Sequence, residues 1–175
     1  MSYWVPRGGL PAQTDLTTGQ SGRAVFTEAY AVIPRGTLSD ITASRLPHWD
    51  DTRLWVIARP LSGFAETFSW YVVEVALGGG TERPDDDPDA ESVLLVALGA
   101  AELRIGDGPA GEVHAVRPGT YAFLPPGATW ALRATAGEPL TFHWIRKAYE
   151  RVDGVEVPEP FVVHEDDVAV EPMPD

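Results

Sequence analysis

An all-β chain closed into a barrel or jelly roll is predicted by three features of this sequence. Glycine and proline, 17 and 16 of the 175 residues, punctuate it at short intervals. Between them the segments alternate or run apolar over only a few residues, the pattern of short antiparallel strands. The joints carry turn chemistry: "GDGPAG" (106–111), "RPG" (117–119) and "TAGEP" (135–139). Glycine there is free to take positive φ, and proline is barred from a central ladder.

Residues 1–53 are irregular, although "AVFTEAYAVIPRG" (24–36) has a strand-like apolar run, so this part is expected as an arm or extra strands packed on the barrel. The barrel itself is expected over residues 54–152. Its clearest strands are Leu54–Ala58, Phe68–Leu77, Val93–Leu98, Ala101–Ile105, Val113–Val116, Tyr121–Leu124, Trp130–Ala134 and Leu140–Ile145. In Phe68–Leu77 one face presents Tyr71, Val73, Val75 and Leu77, the other Trp70, Val72, Glu74 and Ala76. Both faces are largely apolar, which predicts a strand covered on two sides. Gly78-Gly79-Gly80 after it suits a strand-to-loop turn, since no Gly-Lys-Ser/Thr follows to make a phosphate cradle. Eight such strands protect their edges best by closing on themselves. Helix is scarce: "IRKAYERV" (145–152), ended by Asp153-Gly154, is the one short candidate. The remainder, residues 153–175, is acidic and proline-rich and reads as a linker-like tail.

A chain of this length can bury roughly 70% of its unfolded surface without staples. The absence of cysteine removes disulfides, thiolate metal sites and thiol nucleophiles together, so any metal would need His and carboxylate ligands. A formal charge of −13 repels phosphate backbones, and Arg146, Lys147 and Arg151 are too few to offset it, which argues against a nucleic-acid partner. With no leader-like start and no apolar run of membrane-spanning length, a cytoplasmic protein without a membrane partner is expected.

Candidate chemistry is sparse. Asp85, Asp87 and Asp89 alternate as in a calcium loop, but Ala90 and Val96 stand where the loop needs glycine and glutamate. The four histidines, His48, His114, His143 and His164, are scattered. Surface roles are expected for His48 and His164, and a hydrogen-bonded structural role for His143 between Phe142 and Trp144. Glu74 lies mid-strand among apolar neighbours, where burial would raise its pKa and suit it to acid–base work; the plain alternative is that it faces outward. Trp55, Trp70, Trp130 and Trp144 fall in strands as core filler, or as walls for a small planar ligand. The candidate barrel pocket is therefore Trp130, Tyr71, Glu74 and His143, with no catalytic or metal-ligating residue assigned.

The stretch "GTYAFLPPGATW" (119–130) resembles the second signature of the cupin superfamily, G-x5-P-x-G-x2-H-x3-N. Gly119, Pro125 and Gly127 keep the spacing, while Trp130 takes the histidine place and Ala134 the asparagine place. The first signature, anchored on Gly99, puts its ligand places in the acidic loop and at Ser92, with Glu91 one position away. More specifically, "RGGLPAQTDL", "VFTEAYAVIPRG", "TRLWVIARPLSGFAETFSWYVVEV", "YAFLPPG" and "FHWIRKAYE" together resemble the N-terminal half of bacterial (S)-ureidoglycine aminohydrolase, over about residues 2–151. That family is a bicupin of allantoin breakdown whose manganese and catalytic residues lie in the C-terminal barrel. The resemblance implies a cupin double-stranded β-helix, no cofactor in this chain, and manganese in a C-terminal half.

Three functions follow as expectations. The first is a metal-free N-terminal cupin, inactive by itself, that packs against a catalytic C-terminal barrel and supports a homo-oligomer. The second is a stand-alone cupin that holds a small polar metabolite such as a ureide around Trp130 and Tyr71. The third is a metalloenzyme with His143, Glu74 and Glu91 as ligands.

Overall fold

Strand-length alternation becomes a rolled antiparallel sheet in the structure, a computed structural model that describes residues 25–26, 31–32, 46–58, 67–84 and 87–170. Two short strands, β1 (Val25–Phe26) and β2 (Ala31–Val32), pair with each other. The others are β3 (Asp50–Ala58), β4 (Phe68–Thr81), β5 (Ala90–Ile105), β6 (Glu112–Val116), β7 (Thr120–Leu124), β8 (Trp130–Ala148) and β9 (Phe161–His164). They form one seven-stranded sheet in the order β3-β4-β8-β5-β7-β9, with β6 also paired to β5.

The sheet curls because its two longest strands bend together. The outer halves of β5 and β8 pair from Ala90↔Ala148 to Val96↔Phe142, and the inner halves from Ala101↔Ala134 to Ile105↔Trp130, with register shifts between. Gly99 sits at that break with φ +74°, and a Cβ there would lie 2.6 Å from the Pro139 carbonyl oxygen. Irregularities of this kind bend a strand and increase its twist. The result brings Leu54 of β3, Val73 and Val75 of β4, Leu94, Val96 and Leu103 of β5, Val116 of β6, Leu124 of β7 and Phe142 of β8 into one buried cluster. This cluster is the barrel interior.

Four expectations are corrected. The helix over 145–152 is absent: Ile145 pairs with Trp70 on one side and Val93 on the other, and β8 continues to Ala148. The helix-forming residues of "IRKAYERV" yield to ladders on both sides, tertiary context overriding propensity. The triple glycine is not an exit from the sheet. It lies inside β4 at a register shift between Val75 and Gly80, after which Gly80 and Thr81 pair with Arg133 and Leu132.

The tail is not all linker: "FVVH" forms β9 on the otherwise open edge of β7, from Phe161↔Phe123 to Thr120↔His164. An open edge is a row of unpaired N–H and C=O groups, and this strand covers it. His164, expected at the surface, is buried at the end of β9. Its Nε2 lies 2.9 Å from the Pro118 carbonyl oxygen, and the Asp166 backbone N–H donates to its Nδ1 at 3.1 Å. His48 is exposed, as expected. Residues 1–24, 27–30 and 33–45, most of the expected arm, lie outside the described residues; its last residue but four, Trp49, enters the barrel interior.

Candidate functional site

Alternation along β4 and β8 decides which candidate residues meet. Val73 opposite Phe142, and Tyr71 opposite Trp144, point to the interior cluster. Residues one position away point outward, so Trp55, Val72, His143 and Leu95 form a row across β3, β4, β8 and β5 on the opposite face. Glu74 shares that outer face, opposite Arg53 and Thr141. The candidate set is therefore split: Trp130 and Tyr71 border the interior, and Glu74 and His143 do not. Period-two geometry forbids a side chain from joining the other face without a register slip.

Each of the outward-facing candidates, Glu74, His143 and Glu91, has a structural neighbour. Glu74 is ion-paired with Arg53, whose guanidinium also lies 5.4 Å from the Trp55 ring centroid. The Trp70 indole N–H donates to His143 Nδ1 at 3.0 Å. Glu91, one position from the interior-facing Ser92, also belongs to the outer face, opposite Lys147. Among the described residues no three His, Asp or Glu side chains come together as a metal site, so the His143, Glu74 and Glu91 ligand set is not assembled.

The interior is filled by rings. Trp49 lies 6.2 Å from Trp130, 6.1 Å from Phe142 and 5.8 Å from Trp144, and Trp130 stands edge-on to Trp144 at 5.8 Å. Tyr71 meets Trp144 at 5.9 Å. Two of the indoles are satisfied: Trp49 donates to the Pro84 carbonyl at 3.2 Å and Trp144 to Ser92 Oγ at 3.0 Å. Deeper in the barrel, among Leu94, Leu103, Leu132 and Phe142, the remaining void is about 10 Å³. That is room for one water at most, and its apolar walls would keep it dry.

Among the described residues, space opens above the rings. A cleft of about 480 Å³ at the barrel mouth is lined by Pro84, Asp87, Ser92, Arg104, Pro125 and Trp130, among others. Its rim charges are paired across strands. Glu82 holds Arg104 and, at 3.3 Å, Arg133, while Asp87 lies 3.8 Å from Arg146. Asp107 accepts from the Thr129 hydroxyl at 2.9 Å. The two cupin-signature places that sequence spacing identified, Ser92 and Trp130, do converge on this cleft. Manganese needs imidazole and carboxylate donors aimed at one point. An indole and a serine already occupied by Trp144 do not fit it.

Tyr121 on β7 packs against Phe161 of β9 at 5.8 Å on the outer face. Burial, and then the Glu91 carboxylate, raise its pKa above the ordinary 10.0. Folding thus favours the neutral phenol, and the unfolded chain ionises first. Stability is expected to be flat below pH 10 and to fall as pH rises from there through the raised folded value, a loss that Tyr121→Phe removes. Denaturant titrations of both proteins across the alkaline range check this.

With this geometry in hand, the solved structures identify the barrel. A glyoxylate-induced protein of Pseudomonas aeruginosa superposes with a TM-score of 0.82 at 54% identity, over all of this chain and 61% of its own length. The Ylba protein of E. coli gives a TM-score of 0.72 at 17% identity, over 88% of this chain and 60% of its own. The cupin domain of Schizosaccharomyces pombe Cnp3 gives 0.55 at 8% identity, over 73% of this chain and 87% of its own.

The chain has the cupin fold.

This chain spans about three fifths of the length of each of the first two proteins. No protein-family model and no curated protein matches it. Sequence reasoning missed Trp49 as part of the cupin interior, because the polar "DDTR" that follows it hides any alternation with Leu54. It also missed the cleft, since Arg104, Pro84 and Trp130 are brought together only by the rolled sheet. No helix among the described residues is long and apolar enough to cross a membrane.

Proposed function

We propose that this cupin is the metal-free barrel of a two-barrel protein of the ureidoglycine aminohydrolase kind. It packs against a catalytic cupin barrel and supports a homo-oligomer in the cytoplasm. One observation carries the reading: Trp49, Trp130, Phe142 and Trp144 occupy the volume in which a cupin enzyme would gather its metal and substrate. The reading is also supported by the 54% identical protein, which extends well beyond the matched region. In such an assembly manganese and the hydrolysis of ureidoglycine to ureidoglycolate and ammonia belong to the other barrel, and the role of this one is stability and assembly.

The test compares two purified proteins: this chain, and the chain extended through whatever reading frame continues past Asp175. The chain alone is expected to release no ammonia from ureidoglycine above the uncatalysed rate and to carry no stoichiometric manganese. The extended protein is expected to do both. Turnover by the chain alone, or an extension without a His- and Glu-bearing cupin, would overturn the proposal.

A further inference from the structure

The interior is closed to ligands, but the cleft above it has the properties of a built site. At about 480 Å³ it falls within the range of small-molecule pockets, far above the space one water or ion needs. Its walls include Pro84, Pro88, Pro125 and Ala128, which are rigid or short and present apolar faces. Its floor is Trp130, 6% exposed.

That floor has an unusual polar balance. A buried indole N–H ordinarily finds an acceptor. Trp49 and Trp144, packed against Trp130, each donate to one, yet among the described residues the Trp130 N–H meets none and is not sealed under other atoms. Beside it, Ser92 is 4% exposed and accepts from Trp144, which leaves its hydroxyl proton to donate. Two neutral donors therefore serve the floor. At the rim the carboxylates of Asp87 and Asp107 offer acceptor oxygens, and Arg146 and the Thr129 hydroxyl already temper their charge.

We propose that the cleft over Trp130 binds a small, neutral, flat ring carrying both C=O and N–H groups, of the cyclic amide or imide class. Its carbonyl oxygen accepts from Trp130 Nε1 and the Ser92 hydroxyl, and its N–H groups turn to the rim carboxylates. The prolines hold its faces. Arg83 and Arg104 line the cleft together with Glu82, Asp87 and Asp107, so the local charges are balanced; on a protein of formal charge −13 a free carboxylate gains no net attraction, and a neutral ring suits the site. The site does not depend on the two-barrel reading.

Intrinsic tryptophan fluorescence and calorimetry on the whole chain, with uracil and hydantoin as probes and benzoate as the anionic control, test the proposal. Uracil or hydantoin is expected to bind and to perturb the emission, and benzoate is expected to do neither. Trp130→Phe keeps the ring but removes the N–H, and should weaken binding about fivefold to tenfold. Ala90→Phe, at a half-buried position on the cleft wall, should block the site while leaving the melting temperature within a few degrees, so it serves even if Trp130→Phe unfolds the barrel. No binding of either probe at millimolar concentration, tighter binding of benzoate, or binding unchanged in Ala90→Phe would each overturn the proposal.

Discussion

Trp144→Ala is expected to lower the stability of this barrel by about 3–5 kcal/mol, the range for removing a large aromatic from a packed core. Trp144 is 2% exposed, sits between Trp49 and Trp130 at 5.8 Å from each, and meets Tyr71 at 5.9 Å. Truncation removes three ring contacts, which add to the area term because edge-on and offset aromatic pairs are favourable beyond their burial. It also leaves Ser92 Oγ without its indole donor. The strands around the ring belong to one closed sheet, so the cavity can collapse only partly. Urea denaturation followed by far-ultraviolet circular dichroism checks the figure. Trp144→Phe, which keeps a ring and loses the hydrogen bond, should cost less than half as much.

Gly80→Ala is expected to destabilise the barrel by more than about 3 kcal/mol, or to prevent folding altogether. Gly80 has φ +143°, a region that L side chains rarely enter, and a Cβ there would lie 2.0 Å from the Leu132 carbonyl oxygen and 2.9 Å from Arg133 Cα. Both obstacles are backbone atoms of the central strand β8, so no rotamer change relieves them. Gly78, two residues earlier, has open space around its Cβ position. Gly78→Ala is strained only by its φ of +78°, and should cost about 1–2 kcal/mol. Comparing the two melting transitions separates close approach from conformational preference.

These two sites differ in how far they could be foreseen. Trp144 announced itself by lying in an apolar strand run, and core filling was one of the roles expected for it. Gly80 did not, because three consecutive glycines look the same whether they leave a sheet or cross it closely. Likewise "GTYAFLPPGATW" displayed the cupin hairpin through Gly119, Pro125 and Gly127, and the loss of an imidazole through Trp130. Period-two alternation in Phe68–Leu77 correctly put Tyr71, Val73 and Val75 on one face and Val72 and Glu74 on the other. It could not say which face was the interior, since both are apolar.

The all-β architecture, the cupin hairpin and the replacement of the histidine place by tryptophan are legible in the residues themselves, because local turn chemistry, strand alternation and residue identity are properties of short segments. Tertiary structure alone decided that Glu74 and His143 face away from Trp130, that "FVVH" closes the edge of β7, and that Trp49 joins the ring cluster. It also decided that the usable space lies above the barrel interior. Each of these depends on register and on contacts between residues far apart in the chain, which no local pattern encodes.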